Sequence, residues 1–187
     1  MNGTTRFAIA CWMFAIAFWI LSAFSVKRTA QDQPSPRKFI YVFLTAAAAI
    51  LLNTLSRIIN WNRTFIPHTF ATGILGDTLV LIGLFIAIWA RITIAGNWSA
   101  RVVLKEHHEL IQRGPYRVVR HPIYSGLLLM LFGTAILNGQ VGSFIVLLFC
   151  ACGLWVKLRR EEALLSKHFP QYSDYMRHTT ALVPFVL

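Results

Sequence analysis

The sequence predicts an all-α integral membrane protein of about five transmembrane helices, in which the fourth and fifth form a helical hairpin and a cytoplasmic segment follows. Three observations predict it. Of the 187 residues 56% are hydrophobic and only 13% are charged, with a mean hydropathy of +0.57, which excludes an ordinary soluble domain and intrinsic disorder alike. The apolar residues fall in five runs, each bounded by polar or basic segments. Spans of roughly 20 residues then fill the chain as one membrane domain, 1–187, and leave no room for a separate soluble catalytic domain.

The first run, 7–26, carries no charge and is flanked by Arg6 and by Lys27-Arg28; it is too long for the core of a secretory signal and is taken as the first span. Residues 27–38 hold Pro34 and Pro36 in a basic, turn-rich loop. The second run, 39–59, turns polar at Asn53, Ser56 and Arg57. Residues 60–73 mix Trp61, Phe65, Pro67 and Phe70 with polar groups, an amphipathic stretch suited to headgroup level. A third run, 74–94, places Asp77 in its first turn and Arg91 in its last, where the helix dipole favours each sign of charge. The first three spans therefore occupy 7–95. Two further runs, 123–137 and 141–158, are joined by Asn138-Gly139-Gln140, a turn so short that it forces an antiparallel hairpin.

The net charge of +11 would suggest nucleic acid in a soluble protein. Here the basic residues gather in alternate loops. With the N-terminus outside, fourteen Lys and Arg fall on the inner side and three on the outer, with Arg91 at a helix end; the positive-inside bias predicts a cytoplasmic C-terminus, partnership with membrane lipids and no nucleic acid. That places the protein in the inner membrane of a bacterium or the endoplasmic reticulum of a eukaryote. Cys11, Cys150 and Cys152 all lie in apolar stretches, so they are expected to pack rather than to form disulfides, and no metal site is expected.

Two segments dense in ionisable groups, 101–121 and 157–178, fall on the inner side at the two ends of the hairpin, which brings His121 and Glu161-Glu162 to one membrane face. Pro122 suits the first position of a helix. Arg120 and His121 beside that helix N-terminus make a natural anion site, or else only snorkelling interfacial groups. If the last span continues beyond its apolar part, Trp155, Arg159 and Glu162 share one face and Lys157 and Glu161 form a second pair. A solvated helix end accounts for such pairs too, yet carboxylates at an apolar mouth mark function in a membrane setting.

Gly114-Pro115-Tyr116, then Arg120-His121-Pro122-x-Tyr124-x-Gly126, then an apolar hairpin and Glu161-Glu162, resemble the isoprenylcysteine carboxyl methyltransferase family. Phe169-x-x-Tyr172-x-x-Tyr175, Val183-Pro184-Phe185, Gly96-Asn97-Trp98-Ser99 and His108-Glu109-Leu110 are similar to that family as well, so the resemblance covers about 85–187. It implies S-adenosylmethionine-dependent methyl transfer to a lipophilic acceptor at the cytoplasmic face, with 96–187 as the cofactor-binding and catalytic region. The implied cofactor residues are His108, Leu110, Ile111, Gly114, Tyr116, His121, Tyr124, Glu161 and Glu162, and the implied catalytic residues Arg120, Arg159 and Glu162. The residues themselves are compatible: with no G-x-G-x-x-G and no strand–helix alternation the cofactor has to bind at helix ends. Arg120 or Arg159 would align an acceptor carboxylate, and a Glu would take the proton of an amine or thiol.

Two other classes compete. Membrane sterol reductases look similar around their Arg-His-Pro-x-Tyr segment and use NADPH, but are much longer chains. A small transporter or scaffold should carry polar groups mid-helix, whereas Asn53, Asp77 and Arg91 lie near helix ends.

Overall fold

The computed structural model describes residues 3–23, 63–95 and 110–184. The second predicted span, the basic loop 27–38 and His108 lie outside these residues. Among the described residues there are five α-helices: α1 (Gly3–Ala23), α2 (Phe70–Ile94), α3 (Pro122–Asn138), α4 (Val141–His168) and α5 (Tyr172–His178), with a 3-10 turn at Gly114–Arg117 before α3. α2 and α4 are each long and apolar enough to cross a membrane, while the apolar part of α1 (Arg6–Ser22) and α3 are shorter.

Local chemistry sets the helix ends. α2 begins four residues before the apolar run, because Thr69 and Thr72 form a reciprocal capping box: Thr69 Oγ1 accepts from Thr72 N at 3.2 Å and Thr72 Oγ1 accepts from Thr69 N at 3.0 Å. That start corrects the placement of Asp77, which stands two turns into the helix and beyond the reach of its N-terminal dipole. Arg91 does lie in the last turn. It is buried in the protein and donates to Ala95 O at 2.8 Å and to Ser22 O at 2.7 Å, so one guanidinium ties the end of α1 to the end of α2.

α3 starts with Pro122 at its first position after His121. It ends at Gly139, whose left-handed φ of 63° closes the helix and leaves only Gly139 and Gln140 as the connection to α4. Residues 63–66 strap this turn: Phe65 N donates to Gly139 O at 2.9 Å, and Val141 N donates to Arg63 O at 3.2 Å.

The core is a close antiparallel seam between α2 and α3. A Cβ on Gly83 would lie 2.6 Å from Gly126 O, and one on Gly133 would lie 2.6 Å from Gly76 O, so the two backbones approach to a distance only glycine permits. Ala8, Cys11 and Ala15 of α1 close over Val80, Leu84 and Met130, and Trp12 Nε1 donates to Thr134 Oγ1 at 3.0 Å. Cys11 packs there as expected, but Cys152 is exposed, so packing does not account for it.

α4 has 28 residues to the 17 of α3, and at 1.5 Å per residue it overshoots the start of α3 by about 16 Å. Its apolar part ends at Leu158, level with Pro122 across the hairpin, and the charged remainder rises past that membrane face. The helix breaks at Phe169-Pro170, and α5 turns back toward the start of α3.

Candidate active site at the start of α3

The site forms where the overshoot of α4 passes the first turn of α3. Glu162, inward-facing and 5% exposed, receives Arg120 Nε at 2.7 Å. His121 lies between the two carboxylates, its Nδ1 3.6 Å from Glu161 Oε2 and its Nε2 3.5 Å from Glu162 Oε1. Burial pushes the Glu162 carboxyl up, but the His121 ring and the Arg120 guanidinium outweigh it and hold the group down at about 2. Tyr124, in the first turn of α3, donates from its hydroxyl to Glu161 Oε1 at 2.7 Å, and its ring lies parallel to that of His121 with centroids 5.5 Å apart.

The segment after α5 closes the site from the other side. Arg120 Nη1 donates to the carbonyls of Thr179 and Met176. Arg120 N donates to Thr180 O at 2.9 Å and His121 N to Ala181 O at 3.0 Å, so 179–182 runs parallel to 118–121 as a short two-stranded pairing. Ser125 Oγ donates to Leu182 O at 2.5 Å. The Tyr175 hydroxyl donates to Tyr116 O at 2.5 Å and is pushed up to about 12, chiefly by burial. Burial likewise raises the phenols of Tyr116 and Tyr172, so all three phenols stay neutral and none is a base.

The structure brings most of the residues named from sequence to this face. Leu110 packs against Phe169, Tyr172 and Tyr175, and Ile111 against Ala90, Tyr116 and Ile123, so these two supply apolar wall. Gly114 sits at φ +59°, where a side chain is strained, with Thr93 and Trp89 beside it. The three residues placed on one helical face divide: Glu162 points inward, while Trp155 and Arg159 are exposed, although Arg159 Nη1 still stands 3.7 Å from Glu162 Oε2. The Lys157–Glu161 pair is present at 3.9 Å. Arg120 and Arg159, which sequence leaves alike, differ sharply: the Arg120 side chain is 12% exposed and bonded through Nε and Nη1, that of Arg159 67% exposed. The sequence does not reveal the pairing of 179–182 with 118–121; the β-branched Thr179-Thr180 and the Val183-Pro184-Phe185 motif beside it are the signals it carries.

A profile for phospholipid methyltransferases matches residues 71–172, more than half of the chain. The chain belongs to the phospholipid methyltransferase family. Within it, the likeness to isoprenylcysteine methyltransferases seen in the motifs is found again among curated relatives and in the fold. Protein-S-isoprenylcysteine O-methyltransferase B of Arabidopsis thaliana is 30% identical over 59% of this chain and 58% of its own. The nickel-cobalt-cadmium resistance protein NccN of Alcaligenes xylosoxydans xylosoxydans is 27% identical over 84% of this chain and 72% of its own. Among solved structures, the eukaryotic intramembrane Ras methyltransferase ICMT superposes with a TM-score of 0.56 at 21% identity, over 83% of this chain and 55% of the other. This phospholipid methyltransferase family member thus shares the fold of an intramembrane methyltransferase, and its site lies inside the matched region.

Proposed function

We propose that this protein is an S-adenosylmethionine-dependent methyltransferase acting at the cytoplasmic membrane face on a lipophilic acceptor, an isoprenylcysteine-type carboxylate or another lipid-like small molecule. The observation that carries it is the meeting of His121, Tyr124, Glu161 and Glu162 at the start of α3, inside a region matched to a methyltransferase family. The residues fit the cofactor. His121 Nε2 is buried with no hydrogen-bond partner, and the contact of Glu161 Oε2 with His121 is too long for a hydrogen bond. A cluster with unused polar capacity beside a helix N-terminus suits a zwitterion that also bears a cationic sulfur.

When bound, S-adenosylmethionine supplies a methyl group already activated by its sulfonium. What remains for the protein is alignment and exclusion of water. Glu161, the more open of the two carboxylates, would hold the cationic part of the cofactor, while Glu162 and Arg120 hold His121 and the 179–182 segment in place. Leu110, Ile111 and Tyr116 wall the site. Arg159, exposed and not buried in the clasp, is the arginine we assign to an acceptor carboxylate; an amine or thiol acceptor would give its proton to Glu161. The N-terminus is placed outside and the C-terminus in the cytoplasm, in the inner membrane of a bacterium or the endoplasmic reticulum of a eukaryote.

Calorimetry on detergent-purified protein tests this directly. S-adenosylmethionine should bind and NADPH should not, and His121→Ala should weaken the first. Binding of NADPH alone would establish a reductase instead.

A further inference from the structure

Lys157 takes no part in the function proposed above, yet it occupies a particular corner. Its Nζ lies 5.1 Å from the centroid of the Tyr124 ring and 3.9 Å from Glu161 Oε1. The same carboxylate oxygen accepts the Tyr124 hydroxyl at 2.7 Å, which fixes the ring and the carboxylate to each other. The parallel His121 ring and the packing of Tyr124 against Leu158 hold the aromatic in place. An aromatic face set beside a carboxylate is the arrangement by which proteins recognise organic cations. The corner is therefore built for a positive charge, and a side chain of the protein itself stands in it.

That side chain fits poorly. At 3.9 Å the ammonium is beyond hydrogen-bonding range of Glu161, and the Lys157 side chain is 31% exposed. Arg120 offers the contrast on the neighbouring carboxylate, at 2.7 Å and 12% exposed. A loosely paired ammonium on a flexible four-carbon stem can withdraw to water with little loss, whereas the Arg120 fork cannot.

We infer that Lys157 is an internal placeholder in a cation-recognition corner formed by Tyr124 and Glu161, displaced when a cationic group of the ligand enters. The inference rests on the methyltransferase proposal and names the part of the site that meets positive charge. Lys157 then lowers the affinity for cationic ligands, because its own charge must leave first, and it keeps the Glu161 carboxylate matched while the site is empty of ligand.

The test is calorimetry of wild type, Lys157→Met and Lys157→Arg with S-adenosylmethionine and with S-adenosylhomocysteine, which lacks the sulfonium charge but keeps the ammonium. Lys157→Met should bind S-adenosylmethionine about two- to fivefold more tightly, the range set by a weak exposed ion pair, and Lys157→Arg should stay near wild type. A gain confined to S-adenosylmethionine identifies the sulfonium as the displacing group; an equal gain for both ligands identifies the ammonium. A second readout needs no turnover: acetylation of Lys157 by acetic anhydride, followed by mass spectrometry, should rise when S-adenosylmethionine is added to wild type. Unchanged or weaker binding by Lys157→Met, or protection of Lys157 by the ligand, overturns the inference and leaves the methyltransferase proposal standing. Failure of wild type and Lys157→Met alike to bind either ligand overturns both.

Discussion

Arg120 and Glu162 form a pair that neither residue can leave without harm. Their side chains are 12% and 7% exposed, and the same guanidinium also reaches the carbonyls of Met176 in α5 and Thr179 just after it. Removing one partner strands a buried charge. Arg120→Ala and Glu162→Ala should each cost roughly 3–5 kcal/mol in thermal or denaturant unfolding in detergent, while the double apolar replacement Arg120→Met with Glu162→Leu should cost less than either. The carboxyl also sets an acid limit. Its folded value of about 2 lies below the ordinary 4.5, so its stabilisation is complete above pH 4.5 and lost as pH falls from there through about 2. Amide exchange at 119–121 and 180–182, followed by mass spectrometry, should show protection declining in that window, and Glu162→Gln should remove the pH dependence.

The seam between α2 and α3 carries the packing of the bundle, and its glycines tolerate far less than a glycine outside it. Gly126→Ala puts a Cβ 2.6 Å from Gly83 O and 2.8 Å from Ala87 N, both backbone atoms that cannot swing aside; it should destabilise by about 1–3 kcal/mol. Gly153 of α4 has nothing within 4 Å of such a Cβ, so Gly153→Ala should be neutral or stabilise by up to ~1 kcal/mol. Melting curves of the two variants in one detergent check the contrast. The seam was also the element least legible in sequence. The hairpin is written locally, in a Gly that must adopt φ > 0 between two apolar runs, and it was read directly from Asn138-Gly139-Gln140. Gly76 and Gly83 face Gly133 and Gly126 only once the chain has folded, and a seven-residue spacing of small residues in two separated helices names no partner by itself. The start of α2 falls earlier than the apolar pattern predicts for a different reason: Phe70 to Gly73 are weakly apolar as a group, and the Thr69–Thr72 capping box, a side-chain device, decides the boundary.

For the molecule in its membrane, the proposed orientation puts the site on the cytoplasmic side. In a background lacking Cys11, Cys150 and Cys152, a cysteine at Ser173 should label from the cytoplasm and one at Asn138 from the opposite side; cytoplasmic labelling at Asn138 would reverse the proposed orientation. Acceptors should be ranked by apolar length, since each buried methylene contributes about 0.8 kcal/mol and the bilayer concentrates such molecules at the site. Methyl transfer from labelled cofactor to a graded series should therefore rise steeply with chain length, and equal rates for short and long members would place the acceptor in water. The site itself was half legible: charged side chains could be brought together by counting turns of a hairpin. The closure by 179–182 could not, because backbone groups make most of it and carry no side-chain signature.

That closure has a consequence for the order in which the protein comes into being. The two segments it joins, 118–121 and 179–182, are separated by all of α3, α4 and α5. The hairpin can enter the bilayer while the ribosome is still translating, yet the wall beside Arg120 and His121 is missing until residue 182 has emerged. A nascent chain thus lacks one wall of its site, and a chain cut short after α4 would carry the hairpin without the clasp. Competence for chemistry is the last property this polypeptide acquires, which confines any methylating activity to chains whose synthesis has run past the clasp.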